Sequence, residues 1–201
     1  MEAANTNRIF EITDAVIDRT RASKAIFAVL CFLPVISTIL FGGVDTIMLG
    51  FFAIVASLLI LLWSIEAWKT GLFRIGSNIL LLPLVGLILI GLIQLLPFGE
   101  SLGSAGLLSF EAARSLSLDP FATRLFIVRL VIYLIFFAAA FAYIDSNQRA
   151  ATLSVLIVVF GTLVAFFGIL QRLANPEAIY GLRPTPQAIP FGPFINQHHF
   201  A

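Results

Sequence analysis

Five apolar stretches, at 25–41, 46–65, 79–96, 125–144 and 151–173, take up about half of this chain, and only Arg129 and Arg172 carry charge within them. As helices rising about 1.5 Å per residue, each can cross roughly 30 Å of hydrocarbon. Runs this long and continuous do not fit the alternating strands of a membrane barrel, and a lipid-exposed backbone must satisfy its own hydrogen bonds. The expected fold class is therefore all-α, a polytopic transmembrane helical bundle. A composition of 60% hydrophobic against 11% charged residues, with mean hydropathy +1.03, excludes a soluble enzyme, a disordered tail and a secreted disulfide scaffold. A net charge of +1 offers nothing to nucleic acid, and the single Cys31 can form neither an internal disulfide nor a thiolate metal cage. Pro34 and Pro83 fall inside the first and third stretches, where each removes a helix hydrogen bond and reads as a packing kink.

The flanking charges predict an orientation. Arg19, Arg21 and Lys24 precede the first span, whereas the connection after it, Gly42-Gly43-Val44-Asp45, carries no cation, so the N-terminus is expected in the cytoplasm. Acids and bases mix before that span and no small-residue cleavage site follows it, which argues for a retained helix rather than a signal peptide. Residues 1–24 form a cytoplasmic leader: Ile9, Ile12 and Val16 recur at helical spacing, as in an amphipathic helix at the interface, with a frayed polar leader as the competing reading. Parity then puts 66–78 and 145–150 inside, and 98–124 and 174–201 outside. Trp63 and Trp68 bracket the inner end of the second span, where indoles mark the headgroup level.

The two outer segments are the stretches long enough to hold a site. In the first, Asp119 is placed to cap a helix with Pro120 at its first position, so the fourth span is predicted to start there. The second carries Pro176, Pro184, Pro186, Pro190 and Pro193 with Gly181 and Gly192, a density that precludes a regular helix and predicts an extended strap leading into a sixth helix. It ends Pro190-Phe191-Gly192-Pro193-Phe194-Ile195-Asn196-Gln197-His198-His199-Phe200-Ala201.

That string resembles the Gly-Pro-Phe-Val-Asn-x-Asn-His-Phe-Ala motif of the O-antigen ligase and O-antigen polymerase superfamily of bacterial envelope proteins. Gly192, Pro193, Asn196, His199, Phe200 and Ala201 are the matching positions, and His198 stands where the pattern has Asn. The segment 117–124 is similar to the Leu-Asp-Pro-x-Ala-Thr stretch before a span in the same proteins, and Gly168 to Gln171 followed by Ile179-Tyr180-Gly181 also agrees. The resemblance implies a multi-pass protein of the bacterial inner membrane, acting on glycans linked to undecaprenyl pyrophosphate. Members have about twice as many spans, so the chain is expected to be an N-terminal half, five spans plus the start of a sixth.

Glycan transfer from such a carrier needs cations on the diphosphate and a base for the acceptor hydroxyl. The resemblance implies arginine for the cations, which grips phosphate oxygens in a fork and stays charged when buried. All five predicted outer cations, Arg114, Arg124, Arg129, Arg172 and Arg183, are arginines. Arg129, Arg172 and Arg183 are the candidates for binding the lipid diphosphate; snorkelling or a structural pair, interfacial anchoring and simple solvation are their respective competing readings. No catalytic base is assigned, since the family's proposed one lies in a later loop. His198 and His199 are adjacent, about 100° apart on a helix, and cannot form a same-face zinc pair; no metal or cofactor is expected. Asn196 fits as an N-cap for the sixth helix, Gln94 and Gln171 as interhelical hydrogen-bond partners, and Glu66 as a solvated helix terminus. Two other classes remain: a transporter or permease fragment, which favours acidic groups or broken helices near the midplane, and a non-catalytic assembly subunit.

Overall fold

The computed structural model of the chain describes residues 20–43, 46–74, 79–97, 115–174, 178–184 and 189–195. These are mostly helical: α1 (Arg21–Ile39), α2 (Thr46–Thr70), α3 (Leu82–Gln94), α4 (Pro120–Tyr143) and α5 (Asn147–Ala174). Short 3-10 turns, Phe41–Gly43 and Ile79–Leu81, precede α2 and α3. The strands are a two-residue pair, β1 (Ala178–Ile179) antiparallel to β2 (Arg183–Pro184), with Ala178 opposite Pro184.

Local chemistry sets the helix starts. Thr20 accepts from the Ser23 N–H at 3.0 Å, Asp119 Oδ1 from the Ala122 N–H at 2.9 Å, and Ser146 Oγ from the Arg149 N–H at 3.2 Å. Each hydroxyl or carboxylate thus satisfies a first-turn donor that has no intrahelical partner. The expected Asp119-Pro120 start is observed to the residue. Between α1 and α2, Phe41, Gly42 and Gly43 all have positive φ, and a Cβ on Gly43 would lie 3.0 Å from the Phe52 ring, so the reversal is tight enough to require glycine there.

Four helices, α1, α2, α4 and α5, are long and apolar enough to span a bilayer. Their apolar surface is not used up internally: in the most apolar window of α5 only 6% of residues are buried within the protein. A surface of that kind needs hydrocarbon as its solvent, and the chain is a helical membrane protein. The third stretch differs from expectation. Helix α3 has 13 residues, about 20 Å of rise, short of a full crossing by itself. The run from Ile79 to Leu81 is wound as 3-10 turn and Pro83 stands in the first helical turn, where its missing N–H costs nothing. Pro83 is thus a helix start rather than a mid-span kink.

Contacts divide the chain into two compact units, Met1–Arg74 with Ala142–Ala201, and Ile75–Phe141. In the first, α1 packs against α2 and α5 through Ala22, Ile26 and Leu30 on its buried face. In the second, α3 meets α4 where a Cβ on Gly91 would lie 2.8 Å from Ile127 Cγ1. Residues 1–19 of the leader, the loop 98–114 with Arg114, and Asn196, His198, His199, Phe200 and Ala201 lie outside the described residues, while 21–24, expected in the leader, already belong to α1.

Candidate functional site

At the end of the first unit that carries the β-pair, the Pro-rich segment is folded back on the helices. Gln171, buried in the last turns of α5, donates from Nε2 to the Ala178 carbonyl at 2.9 Å. The turn between β1 and β2 closes with Leu182 N–H on the Ile179 carbonyl at 2.9 Å, and places Tyr180 and Gly181 at φ +54° and +70°. From there the Tyr180 hydroxyl donates to the Ile39 carbonyl at 3.0 Å, one of the acceptors that the last turn of α1 leaves open. The Tyr180 ring also meets Phe41 at 5.9 Å and Phe167 at 5.7 Å. Partial burial against these groups raises the Tyr180 phenol above its ordinary range, because part of the hydration its phenolate would need is lost. The expected extended strap is therefore a hairpin, pinned by one side chain to α5 and by another to α1. Gln171 does hydrogen-bond across elements, though to the hairpin backbone rather than to another helix.

Beyond the hairpin, Phe191 and Phe194 exchange both backbone hydrogen bonds at 3.1 Å, enclosing Gly192 and Pro193 in a tight turn. Gly192 has φ +56° and is buried against α5, 3.5 Å from the Val164 carbonyl when a Cβ is built on it. The Phe191 ring fills the notch at Gly168, where a Cβ would lie 2.4 Å from Cε1. Of the six motif positions, Gly192 and Pro193 are thus seen, both buried in a docked turn.

The candidate cations fall into two places. Arg172, exposed in the last turn of α5, and Arg183, on β2, lie at the same end of the first unit, linked through Gln171, Ala178 and Pro184. The Arg183 guanidinium sits 5.1 Å over the Phe41 ring, a cation–π contact that holds it at the end of α1. Arg129 belongs to the second unit. There it is exposed and lines a recess of about 460 Å³ with Gln94, Thr123 and Phe126. Two contacts shape the recess: the Ser117 N–H donates to the Gln94 carbonyl at 3.0 Å, and the Ser117 and Thr123 hydroxyls share a hydrogen bond of 2.7 Å. The Thr123 hydroxyl also donates to the Asp119 carbonyl at 3.0 Å, so the groups that could hold an anionic oxygen ligand here are the Arg129 guanidinium and the Gln94 amide.

The opposite end of the first unit holds a polar network that sequence reasoning missed. Arg149, 8% exposed, donates from Nη1 to the Tyr143 carbonyl and from Nη2 to Ser23 Oγ, both at 2.9 Å. Its guanidinium lies 3.6 Å from Asp145 Oδ1 and 5.3 Å over the Phe27 ring. Asp145 also pairs with Arg74 at 3.0 Å. Glu66, expected to be solvated, is instead 1% exposed; Oε1 accepts from the Thr20 hydroxyl at 3.1 Å and the carboxylate lies beside the Tyr143 hydroxyl. Helix α2 runs on past Glu66 to Thr70, so the acid sits a full turn inside the helix and under the start of α1 rather than at a solvated terminus. Trp63 joins this end, stacked on Phe73 at 5.4 Å and edge-on to Tyr143 at 5.8 Å, while Trp68 is 91% exposed. The signal available in the sequence was that Ser23, Glu66, Asp145 and Arg149 all lie at span ends that parity assigns to one side. Among the described residues, no group of three His, Cys, Asp or Glu side chains is placed to hold a metal. In comparisons with known proteins, the chain matches no family model, no curated protein and no solved structure.

Proposed function

We propose that the chain is the N-terminal portion of a bacterial inner-membrane glycan transferase of the O-antigen ligase or polymerase type. In this reading the N-terminus is cytoplasmic, the third stretch crosses as a short span, and a sixth span begins after Phe194. The observation that carries it is the docked turn: the Gly192-Pro193 pair of the motif is buried against Gly168 and Val164, at the end of the unit that also presents Arg172 and Arg183. A motif that seats a Pro-rich segment beside two arginines suits a site for a lipid-linked diphosphate at the outer face. The arginines would hold the phosphate oxygens and neutralise the leaving group as the glycosidic bond breaks, and the base for the acceptor hydroxyl would come from further sequence. Arg129, in its polar recess with Gln94 and Thr123, offers a further phosphate contact. A transporter reading is less well served, because Glu66, the buried acid of the described residues, lies four residues from the end of α2 rather than near its middle.

The test is glycan transfer by the whole protein with Arg129→Ala, Arg172→Ala and Arg183→Ala. Loss of a charge-assisted contact made to the departing diphosphate, about 1.5–3 kcal/mol, predicts transfer lowered roughly 10- to 100-fold. Wild-type rates in all three variants would refute the assignment.

A further inference from the structure

Within the polar network of the first unit, Glu66 Oε2, the Tyr143 hydroxyl and Trp63 Nε1 are buried with no hydrogen-bond partner in the protein. Glu66 and Tyr143 are shut off from solvent, at 1% and 0% exposure. The three groups belong to one place. Trp63 and Glu66 stand three residues apart on one face of α2, the Tyr143 ring lies edge-on to Trp63 at 5.8 Å, and the Glu66 carboxylate lies beside the Tyr143 hydroxyl. Buried polar groups left unpaired are destabilising enough that nearly all of them find a partner.

Their chemistry sets what can satisfy them. The indole N–H only donates, the carboxylate oxygen only accepts, and the phenol does either, so the ligand must carry both a donor and lone pairs. Charge argues against an ion. An anion would face Glu66, and a cation would face Arg149, which bonds the Tyr143 carbonyl at 2.9 Å, and Arg74, 6.0 Å over the Tyr143 ring. The formal charges of the network already cancel, Arg74 and Arg149 against Glu66 and Asp145. We propose that Trp63, Glu66 and Tyr143 bind one ordered water, which accepts from the indole N–H, donates to Glu66 Oε2 and forms a third hydrogen bond with the Tyr143 hydroxyl. About three bonds is the usual complement of a buried water. Since the Thr20 hydroxyl already occupies Glu66 Oε1, the water makes this carboxylate a junction between the start of α1 and the end of α4, whose last carbonyl in turn holds Arg149 of α5. The site stands independently of the glycan-transfer reading.

The experiment is X-ray hydroxyl-radical footprinting of the whole protein in nanodiscs, with rapid mixing into oxygen-18-labelled water and mass spectrometry of the oxidised peptides. A bound water activated in place oxidises the side chains that it touches. The expected result is hydroxylation of Tyr143 roughly tenfold faster than that of Phe32, which faces hydrocarbon at mid-span. Oxygen-18 should enter the Tyr143 product more slowly than the product at Trp68, which is 91% exposed, because an ordered water exchanges late. Glu66→Gln keeps an oxygen facing the site and should retain the labelling, whereas Glu66→Leu, apolar and of similar size, should lower it roughly tenfold. Where Glu66→Leu does not fold by circular dichroism, the wild type and Glu66→Gln carry the test. A Tyr143 as unreactive as Phe32 would mean that its hydroxyl bonds the carboxylate directly, and would overturn the water site. Oxygen-18 entry at Tyr143 as fast as at Trp68 would mean access from bulk water and would overturn it as well, as would unchanged labelling in a folded Glu66→Leu variant.

Discussion

Replacing Arg149 by alanine should destabilise the first unit more than any surface arginine change. The guanidinium donates to the Tyr143 carbonyl and Ser23 Oγ at 2.9 Å, lies 3.6 Å from Asp145 and covers Phe27, with 8% of the residue exposed. Truncation leaves a buried hydroxyl and a carbonyl without their donor, while Asp145 keeps Arg74. Removing one partner from such a buried charged network costs about 3–5 kcal/mol. For a chain of this size that corresponds to a midpoint lowered by roughly 6–20 °C, measured by thermal unfolding in detergent micelles. Lysine keeps the charge but lacks the fork that reaches two acceptors, and should recover part of the loss. Ser23→Ala combined with Arg149→Ala should show a coupling of about 0.5–3 kcal/mol in a double-mutant cycle. A midpoint for Arg149→Ala within a degree of wild type, or no coupling to Ser23, would refute the view that this network ties α1 to α5.

Gly168→Ala forces a Cβ into the Phe191 ring and should release the docked turn; overpacking of this kind costs about 1–3 kcal/mol, and proteolysis after Phe194 should speed up while α1 to α5 stay helical by circular dichroism. Tyr180 supplies a pH test. Its phenol is raised by burial, so the stability from its bond to Ile39 is complete below the ordinary range near 10 and is lost as pH rises through the higher folded value. Absorbance titration should show a late phenolate step that Tyr180→Phe removes; an unchanged titration curve would contradict the burial.

Legibility tracked the range of the physics. The Asp119-Pro120 start of α4 was readable because a cap acts over three residues of one segment. Long spans were readable because hydrocarbon imposes a length on any helix that crosses it. Helix α3 was harder: its apolar run was evident, but the 3-10 winding before Pro83 trims the helix, and hydropathy does not register winding. Glu66 was misjudged because its neighbours in sequence are a helix end, while its neighbours in space come from α1 and α4. Arg149 was passed over for the same reason, since Ser23 lies 126 residues away.

By itself, then, the sequence determined the solvent, the helical class and the Asp119-Pro120 start of α4, because these depend on hydropathy and short-range hydrogen bonding. Only the tertiary structure decided that the Pro-rich segment is a hairpin and a docked turn, that Arg172 and Arg183 share one end of a unit, and that Glu66 and Arg149 are buried at the other. Those outcomes depend on which distant groups satisfy a polar atom once water is excluded, and a linear pattern does not encode that pairing.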